Sequence, residues 1–476
     1  MAWRIGVDAG GTFTDVCLFD DGTGRLEVWK LASTPDDPLR GIAQGIEDAI
    51  DRAEADQPDA MPRLPVRSVA AEPSAGMAGA REIARLAGFA DLIGFDMGGS
   101  RAAVARLDAA ACQLVDEVPG ADIHTVGAGG GSIAWLGSAG ALAVGPRSAG
   151  ADPGPACTGH GGAEPTLTDA HVVLQTLNPE RLLGGRLRLR QDLARAAIGV
   201  LAATLGLDEL ATAQRIVSVV TAGMAAAIRA TPVLPGGTLV AFGGAGPLHA
   251  ARLARELGIP RILVPLHAGV LGALGLLLTD PRAEFSATAA MALRADSLPA
   301  IAEAFGLLRH RAAVWFAEHK IPARTRRIAR SVDLPQADGT ALSVPLADGP
   351  VTAATLEALA GAVAAAHPPL HAAAGDEAPR LVTFRVAAVG RLPRPGFPPH
   401  PDAGPDAAAC TGRRDVWLPE AGGWASCAVY DRARLESGNR IAGPAVVEQM
   451  DATTLILPGM TARVDPYLNL VLQAGG

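Results

Sequence analysis

The chain has 476 residues, of which 49% are hydrophobic and 19% are charged. This length predicts two to four domains, and this composition excludes a wholly disordered chain. The formal net charge of −8 argues against a nucleic-acid partner, because neutralising phosphates requires a basic surface.

Five cysteines are scattered along the chain, at positions 17, 112, 157, 410 and 427. None is spaced as Cys-x-x-Cys, so the usual zinc-ligand spacing is absent. An odd, dispersed set is typical of reduced thiols, and a cytoplasmic location is therefore expected. The N-terminus has no signal-peptide pattern. The sequence has no uncharged run of about 18 apolar residues, so no membrane span is predicted.

Residues 1–65 are predicted to form an N-terminal lobe. Apolar runs bounded by glycine and aspartate predict short strands at 5–7, 16–19 and 26–30. Apolar residues at three- and four-residue spacing then predict a helix over 38–53. Residues 54–65 are acidic and weakly patterned, and are interpreted as a linker.

Two further blocks follow the linker. Residues 66–284 predict an α/β core, because strand-like and helix-like segments alternate along them. Residues 285–476 predict a mixed α+β domain that begins with one long amphipathic helix and then becomes rich in strands. Within this block, the proline-rich stretch 392–406 is predicted to be an exposed connector.

The clearest chemical motif is the first glycine turn, residues 7–15, which follows a predicted strand. Paired glycines let backbone N–H groups approach a phosphate without a Cβ in the way. Asp8, at the end of the strand, is a candidate catalytic carboxylate and Mg²⁺ ligand, since Mg²⁺ favours carboxylate, phosphate and water oxygens. The candidate phosphate-contacting residues are Gly10, Gly11, Thr12 and Thr14. A plain glycine-rich hairpin is the structural alternative.

A second glycine turn, residues 94–100, repeats this arrangement. A strand delivers Asp96, a second candidate catalytic carboxylate, and Gly98, Gly99 and Ser100 follow as candidate nucleotide contacts. Two such hairpins facing each other clamp the phosphates of a nucleotide in ATPases of the actin and sugar-kinase type. The pair therefore predicts that α/β fold more specifically than either turn does alone.

A third glycine turn, residues 242–249, joins a predicted strand to a helix that opens with proline. Its candidate nucleotide contacts are Gly243, Gly244 and Gly246. The start of such a helix suits an anion or a nucleoside. A tight strand-to-helix turn without a ligand is the alternative.

Other polar residues leave two interpretations open. Asp122 and His124 are candidate metal ligands or groups that position a substrate. The alternative is that His124 is a purely structural histidine on a glycine-rich loop. Asp152 and Asp169 are either carboxylates of a cleft or helix caps and turn formers. Cys157 is interpreted as a structural thiol, because no histidine arrangement that would activate it is evident apart from His160.

Taken together, these motifs resemble the hydantoinase/oxoprolinase family over nearly the whole chain. Beyond the first and third glycine turns, the segments that carry the resemblance are 122–134, 145–157, 164–170, 441–449, 453–454 and 458–459. The resemblance implies an ATP-binding core with Mg²⁺, and leaves room for a second divalent metal. It also implies ATP-driven chemistry on a small cyclic amide or ketone, with a second, hydantoinase B-type subunit as partner.

The chain departs from the family pattern in three places. The family's long stretch after the first helix, with its His-Gly-Thr-Thr segment, is replaced by the linker 54–65, so the first lobe is expected to be truncated. The family's second turn continues Ser-Thr-Asp, where this chain has Arg101, Ala102 and Ala103. Glu72 introduces a negative charge into a turn expected near the phosphates.

These departures leave two possible functions open. The first is an ATP-dependent hydantoinase- or oxoprolinase-type subunit with reduced activity. The second is a catalytically inactive scaffold subunit that holds a partner. A sugar or acid kinase on the same core is disfavoured by the motif at 122–132.

Overall fold

A computed structural model describes most of the chain. The described residues are 3–20, 23–34, 36–56, 66–70, 73–108, 123–138, 140–230, 237–335, 341–366, 379–391, 395–406 and 408–474. They form two compact units: one contains residues 1–279 and 395–476, and the other contains residues 280–394. Of the predicted linker, 54–65, the described residues include only 54–56. These continue a helix that ends at Asp56, and the next described residue is Val66.

The α-helices of the described residues are α1 Pro38–Asp56, α2 Pro73–Leu86, α3 Leu167–Val173, α4 Gln191–Leu205, α5 Glu209–Ala230, α6 Gly246–Leu257, α7 Leu271–Leu278, α8 Leu298–Glu318 and α9 Ala353–Ala366.

The strands of the N-terminal half are β1 Trp3–Ala9, β2 Phe13–Asp20, β3 Leu26–Ala32, β4 Val66–Ala70, β5 Asp91–Met97, β6 Ala102–Asp108, β7 His124–Val126, β8 Ser132–Leu136, β9 Leu142–Ser148, β10 Thr238–Phe242 and β11 Arg261–Val264. Those of the C-terminal half are β12 Arg282–Ala292, β13 Arg326–Pro335, β14 Ala341–Leu346, β15 Arg380–Gly390, β16 Cys410–Leu418, β17 Gly423–Asp431, β18 Arg440–Ala442, β19 Ala445–Glu448, β20 Thr453–Ile456, β21 Met460–Val464 and β22 Leu470–Ala474.

The first unit is built around two sheets. A four-stranded sheet has the order β3-β2-β1-β4, in which β1 and β4 are parallel. A second sheet has the order β18-β21-β22-β11-β10-β5-β6-β7, with the parallel strands β11, β10 and β5 at its centre. Helices α2 and α7 pack against each other. Helix α2 also contacts β5 of the second sheet, and α7 contacts β1 of the first sheet. Both β1 and β5 therefore end in a glycine turn beside the same pair of helices.

The second unit is a four-stranded antiparallel sheet with helices. Its strand order is β12-β15-β13-β14, and α8 packs on β12 and β15. Its own apolar core includes Ile301, Phe305 and Phe384, all of which are fully buried. It therefore has the separate core that an independent compact unit requires.

The predicted third block, 285–476, divides between these two units. Residues 395–474 return to the first unit, where β22 pairs antiparallel with β11. Strand β12 also precedes the long helix α8 that was expected to open this block. The side chains of β12 alternate between exposed and half-buried, but many are alanine, so the hydrophobic alternation that predicts a strand is weak. The pairing of β22 with β11 joins residues about 210 apart, which no local pattern reveals.

Within the part of the chain that the structure describes, one helix, α5, is long and apolar enough to cross a membrane by length and composition alone. Half of its apolar window is buried within the fold, where it contacts α3, α4 and α6. Such burial is typical of a core helix, and core helices often have this length and composition.

Close packing of α2 and α7 depends on glycine. A Cβ added at Gly275 would lie 1.8 Å from the carbonyl oxygen of Ala75, and one at Gly79 would lie 3.1 Å from the Cα of Gly275. Backbone atoms cannot move aside as the end of a flexible side chain can. The two helices therefore approach as closely as they do because both contact positions lack a side chain.

We expect Gly275→Ala to lower the free energy of unfolding by about 1–3 kcal/mol, the usual cost of overpacking. Gly223→Ala is the matched control, because Gly223 also lies within a helix and a Cβ there would meet nothing within 4 Å. That control should raise stability by about 0.5–1 kcal/mol, since alanine favours helix. Urea denaturation of both variants measures the difference, and equal effects would contradict the packing described.

Candidate active site

The first glycine turn joins β1 to β2. The Gly10 N–H donates to the Phe13 carbonyl oxygen at 3.0 Å, which closes a tight hairpin. Side chains alternate between the two faces of a strand, and the strand register aligns Asp8 with Asp15, and Asp15 with Lys30. These three charged residues therefore lie side by side on one face of the sheet, towards α7. A Cβ at Gly272 of α7 would lie 1.9 Å from the Asp8 carboxylate, so this glycine makes room for it.

Thr14 lies on the opposite face of the same sheet. Its hydroxyl is 3.5 Å from the Ser33 hydroxyl, and a Cβ at Gly41 of α1 would lie 2.9 Å from it. The side chain is buried against α1 and does not line the cavity described below. The two-residue period of a strand explains this, because Thr14 and Asp15 must point to opposite sides.

The second glycine turn faces the first. The Gly98 N–H donates to the Arg101 carbonyl oxygen at 3.1 Å, which closes the hairpin between β5 and β6. A Cβ at Gly99 would lie 2.4 Å from the Thr12 hydroxyl, and one at Gly11 would lie 3.5 Å from the Ser100 hydroxyl. The two turns therefore touch, as the paired motifs predict.

The glycine-rich segment after β7 holds the second turn in place. The N–H groups of Gly130 and Gly131 donate to the carbonyl oxygens of Gly98 and Gly99, at 3.0 and 2.6 Å. A Cβ at Gly129 would come within 2.6 Å of the Ser100 backbone. The segment that carries much of the family resemblance thus supports the second glycine turn through its backbone.

The third glycine turn closes the remaining side. Gly243 has a φ of +78°, and a Cβ there would lie 2.4 Å from the Asp96 carboxylate. The Ala245 N–H donates to the Met97 carbonyl oxygen at 2.9 Å. The third turn therefore contacts the strand that carries Asp96, and only glycine fits at position 243.

All three turns line one cavity of about 320 Å³. The predicted site residues on its wall are Asp8, Gly10, Gly11, Thr12, Asp96, Gly98, Gly99, Ser100, Gly243 and Gly244. Gly246 is buried at the start of α6 and lies behind this wall. His124 is exposed on β7 and does not line the cavity, and Asp122 lies outside the described residues.

Among the charged residues of the cavity wall, the sequence interpretation missed Asp15, Lys30 and Asp451. Lys30 donates to Asp15 at 2.5 Å and to the Gly269 carbonyl oxygen at 2.6 Å, and its side chain is 6% exposed. Asp451, in the loop after β19, accepts from the Gly269 N–H at 2.8 Å. Counting alternate residues from Asp8 across the hairpin would have identified Asp15 and Lys30. Asp451 is more than 400 residues from Asp8, and no local signal marks it.

Burial and neighbouring charges raise the pKa values of two carboxyl groups in the cavity. Desolvation, opposed by Lys30 and supported by Asp8 and Asp451, raises the pKa of Asp15 to about 7. Desolvation and the nearby Asp15 charge raise the pKa of Asp96 to about 6, although Arg101 and Lys30 act in the opposite direction. Ionisation of these buried carboxylates is therefore costly, and a cation bound beside them would offset that cost.

The other open interpretations of the sequence are decided by local contacts. Asp169 is a helix cap: it accepts from the Thr166 N–H at 2.9 Å and the Cys157 N–H at 2.7 Å, at the start of α3. Asp152 is exposed in a turn and does not line the cavity. Burial, followed by the adjacent Asp169, raises the pKa of the Cys157 thiol, which is fully buried as a structural thiol would be.

The donor set around the cavity fits Mg²⁺ that is shared with a phosphate. Within the described ranges, no three His, Cys, Asp or Glu side chains converge as a complete protein metal site. Mg²⁺ commonly takes one or two carboxylates and completes its shell with water and phosphate oxygens. Asp8 and Asp96, each beside a glycine turn, are the carboxylates that would hold such an ion.

The fold and this cavity define an α/β protein in which three glycine turns border one cavity, and comparison with known proteins identifies the family. Family models match residues 4–68 (hydantoinase/oxoprolinase N-terminal region), 55–285 (hydantoinase/oxoprolinase) and 376–474 (hydantoinase/oxoprolinase C-terminal domain). The chain belongs to the hydantoinase/oxoprolinase family, as its motifs predict.

Curated relatives include subunits of multi-subunit enzymes. The chain is 34% identical to the caprolactamase subunit alpha of Pseudomonas jessenii, over 75% of this chain and 53% of that protein. It is 30% identical to the acetophenone carboxylase gamma subunit of Aromatoleum aromaticum, over 84% of this chain and 59% of that protein. The chain therefore spans a little over half the length of these relatives.

A solved structure confirms the predicted α/β fold. Nucleotide-free acetone carboxylase, described as ATP-dependent, superposes with a TM-score of 0.76 at 17% identity, over 99% of each chain. At this identity, the likeness establishes the shared fold.

The pKa of Asp96 predicts a pH dependence of stability. An unfolded aspartate has a pKa of about 3.9, so the folded protein binds more protons at this residue between about pH 4 and 6. Its contribution to the free energy of unfolding is therefore present at low pH and is lost as pH rises through about 6. We expect Asp96→Asn to lose less stability than the unsubstituted protein between pH 5 and pH 8.

Urea denaturation at both pH values measures this difference. Asp51→Asn is the control, since Asp51 is exposed on α1, and its pH dependence should match that of the unsubstituted protein. An Asp96→Asn profile that is also unchanged would show that Asp96 does not titrate as described.

Proposed function

We propose that this protein binds Mg-ATP in the cavity and acts as the ATP-using subunit of an enzyme that acts on a cyclic amide or related carbonyl compound. The observation that carries the proposal is the meeting of three glycine turns on one cavity beside Asp8 and Asp96. Backbone N–H groups of such turns are the standard ligands of phosphate. The ATP-dependent acetone carboxylase that shares this fold supports the choice of nucleotide.

Within this proposal, the charged residues have separate roles. Asp8 and Asp96 hold Mg²⁺, which neutralises charge on the phosphates. Lys30 presents its ammonium to the same cavity and offsets the charge of Asp15, with which it is paired. Phosphoryl transfer depends mainly on positioning and on charge stabilisation, which groups of this kind provide.

The substrate class follows from the relatives. An amide carbonyl is a poor electrophile, and transfer of the terminal phosphoryl group of ATP to its oxygen turns that oxygen into a leaving group. Addition of water at the carbon gives a tetrahedral intermediate, from which the protonated ring nitrogen leaves and so opens the ring. A second water would then hydrolyse the remaining acyl phosphate to a carboxylate and phosphate. The caprolactamase relative favours a cyclic amide, and the acetophenone carboxylase relative keeps a ketone as the alternative.

A second, hydantoinase B-type subunit is the proposed partner. The relatives named as alpha and gamma subunits work in assemblies, and this chain matches a little over half their length. We propose that ring opening requires that partner, whereas Mg-ATP binding requires only the chain described here.

An inactive scaffold is the second candidate function, and position 103 supports it. Ala103 lines the cavity directly across the β5–β6 hairpin from Asp96, whereas Ala102 is buried outside it. The family resemblance places an aspartate at this point. Its loss removes a carboxylate from the wall of the proposed magnesium site.

Asp8→Ala should abolish the thermal stabilisation produced by Mg-ATP. A ligand that binds only the folded protein stabilises it by about 2.7 kcal/mol at 100 times its Kd. Thr14→Val is the matched control, since Thr14 belongs to the same motif but faces α1; it should retain the shift. Differential scanning fluorimetry with and without Mg-ATP distinguishes them, and an equal shift in the unsubstituted protein and Asp8→Ala would exclude this cavity as the nucleotide site.

Mg-ATP hydrolysis by the unsubstituted protein should be very slow, and Ala103→Asp should raise it. One well-aimed polar group in such a site is typically worth about 10²–10³ in rate. Ala102→Ser provides the control, because position 102 does not line the cavity, and it should leave the rate unchanged. Phosphate release is measured on the chain alone and with any co-purifying subunit. Rapid hydrolysis by the unsubstituted chain would remove the support for a scaffold.

A further inference from the structure

The second glycine turn ends in a positively charged residue, Arg101. Its carbonyl oxygen accepts from the Gly98 N–H at 3.1 Å, which closes the turn. Arg101 is exposed, and it lines the cavity. Of the described residues on the cavity wall, those of lysine and arginine are Lys30 and Arg101.

Strand alternation places the Arg101 side chain on the cavity side of the turn. The hydrogen bond from Gly98 to Arg101 extends the pairing of β5 and β6 by one position. Ala103 lines the cavity opposite Asp96, whereas Ala102 is buried and does not line it. Since successive side chains point to opposite faces, positions 101 and 103 share the face that borders the cavity.

The charge of Arg101 reaches the acids of the cavity. Burial, then the Asp15 charge, raises the pKa of Asp96, and the Arg101 guanidinium opposes this rise more strongly than Lys30 does. The Lys30 ammonium is held by Asp15 and by the Gly269 carbonyl oxygen, and its side chain is 6% exposed. Of the two cations, Arg101 is therefore the more accessible to a ligand.

The backbone that carries Arg101 is fixed by its neighbours. A Cβ at Gly129 would lie 2.6 Å from the Arg101 backbone nitrogen, so the two segments are in close contact. An arginine side chain carries five N–H donors in a planar fork that matches the oxygens of a phosphate. Its fixed base and exposed end suit this side chain to binding an anion inside the cavity mouth.

The second turn also differs in charge from the family pattern described above. Where that pattern has Ser-Thr-Asp, this chain has arginine at 101 and alanine at 103, so the formal charge of the turn rises by two. An aspartate at 103 would repel phosphate unless a cation lay between them. An arginine at 101 can donate to phosphate oxygens directly.

We propose that Arg101 is a phosphate-binding residue of the cavity, whose guanidinium donates to the phosphate chain of a nucleotide bound against the three glycine turns. This deepens the proposed function and rests on it, because the nucleotide is the ligand proposed there. The contact gives the second turn a direct hold on phosphate in a chain that lacks the aspartate at 103.

The experiment compares two arginines of the same hairpin. Mg-ATP binding is measured by calorimetry on the full chain for the unsubstituted protein, Arg101→Gln and Arg106→Gln. Arg106 is exposed on β6 and does not line the cavity, so its substitution removes the same charge away from the site. Arg101→Gln should bind about 10–100-fold more weakly, as expected for loss of a hydrogen bond to a charged group. Arg106→Gln should bind as tightly as the unsubstituted protein.

Two further measurements distinguish a phosphate contact from a structural role. The affinity of the unsubstituted protein and of Arg106→Gln should fall more steeply with added NaCl than that of Arg101→Gln, because salt screens an exposed charge contact. Arg101→Lys keeps the charge without the planar fork, and its affinity should lie between those of the unsubstituted protein and Arg101→Gln. All variants should melt at the same temperature without ligand, since both arginines are exposed.

The outcomes separate this contact from the proposed function. Equal Mg-ATP affinity in Arg101→Gln and the unsubstituted protein, or equal losses in the two glutamine variants, overturns the contact and leaves the proposed function standing. The same salt dependence in all three proteins also overturns it. If the unsubstituted protein does not bind Mg-ATP, the proposed function fails, and the contact fails with it.

Discussion

The site depends on one steric constraint, the contact of backbone turns that have no side chains between them. Gly99 lies against the Thr12 hydroxyl, and Gly243 lies against the Asp96 carboxylate, at distances that no Cβ would allow. Gly272 gives the Asp8 carboxylate the same freedom beside α7. If these positions carried side chains, the turns would separate, and the carboxylates and N–H groups would no longer border one cavity. The glycine pattern is therefore a requirement of the site as well as of its local turns.

The electrostatic character of the cavity follows from the contact between these turns. Bringing β1 and β5 together places Asp8, Asp15 and Asp96 around a common cavity, with Lys30 as a buried counter-charge. The raised pKa values of Asp15 and Asp96 express mainly the cost of burying these carboxylates, to which neighbouring negative charges add. Carboxylates that are costly to ionise alone become favourable when a divalent cation accompanies an incoming phosphate. The geometry and the charge of the cavity thus both support the proposed ligand, a nucleotide with its metal.

The sequence by itself determined the family, the α/β fold and the three glycine turns of the cavity wall, because glycine turns and strand ends are local features. It also permitted Thr14 as a ligand, which the alternation of β2 places on the face towards α1. Only the tertiary structure brought Asp451 to the first turn, separated His124 from the cavity and paired β22 with β11. Those contacts join residues hundreds of positions apart, and their geometry is set by packing that no local pattern encodes.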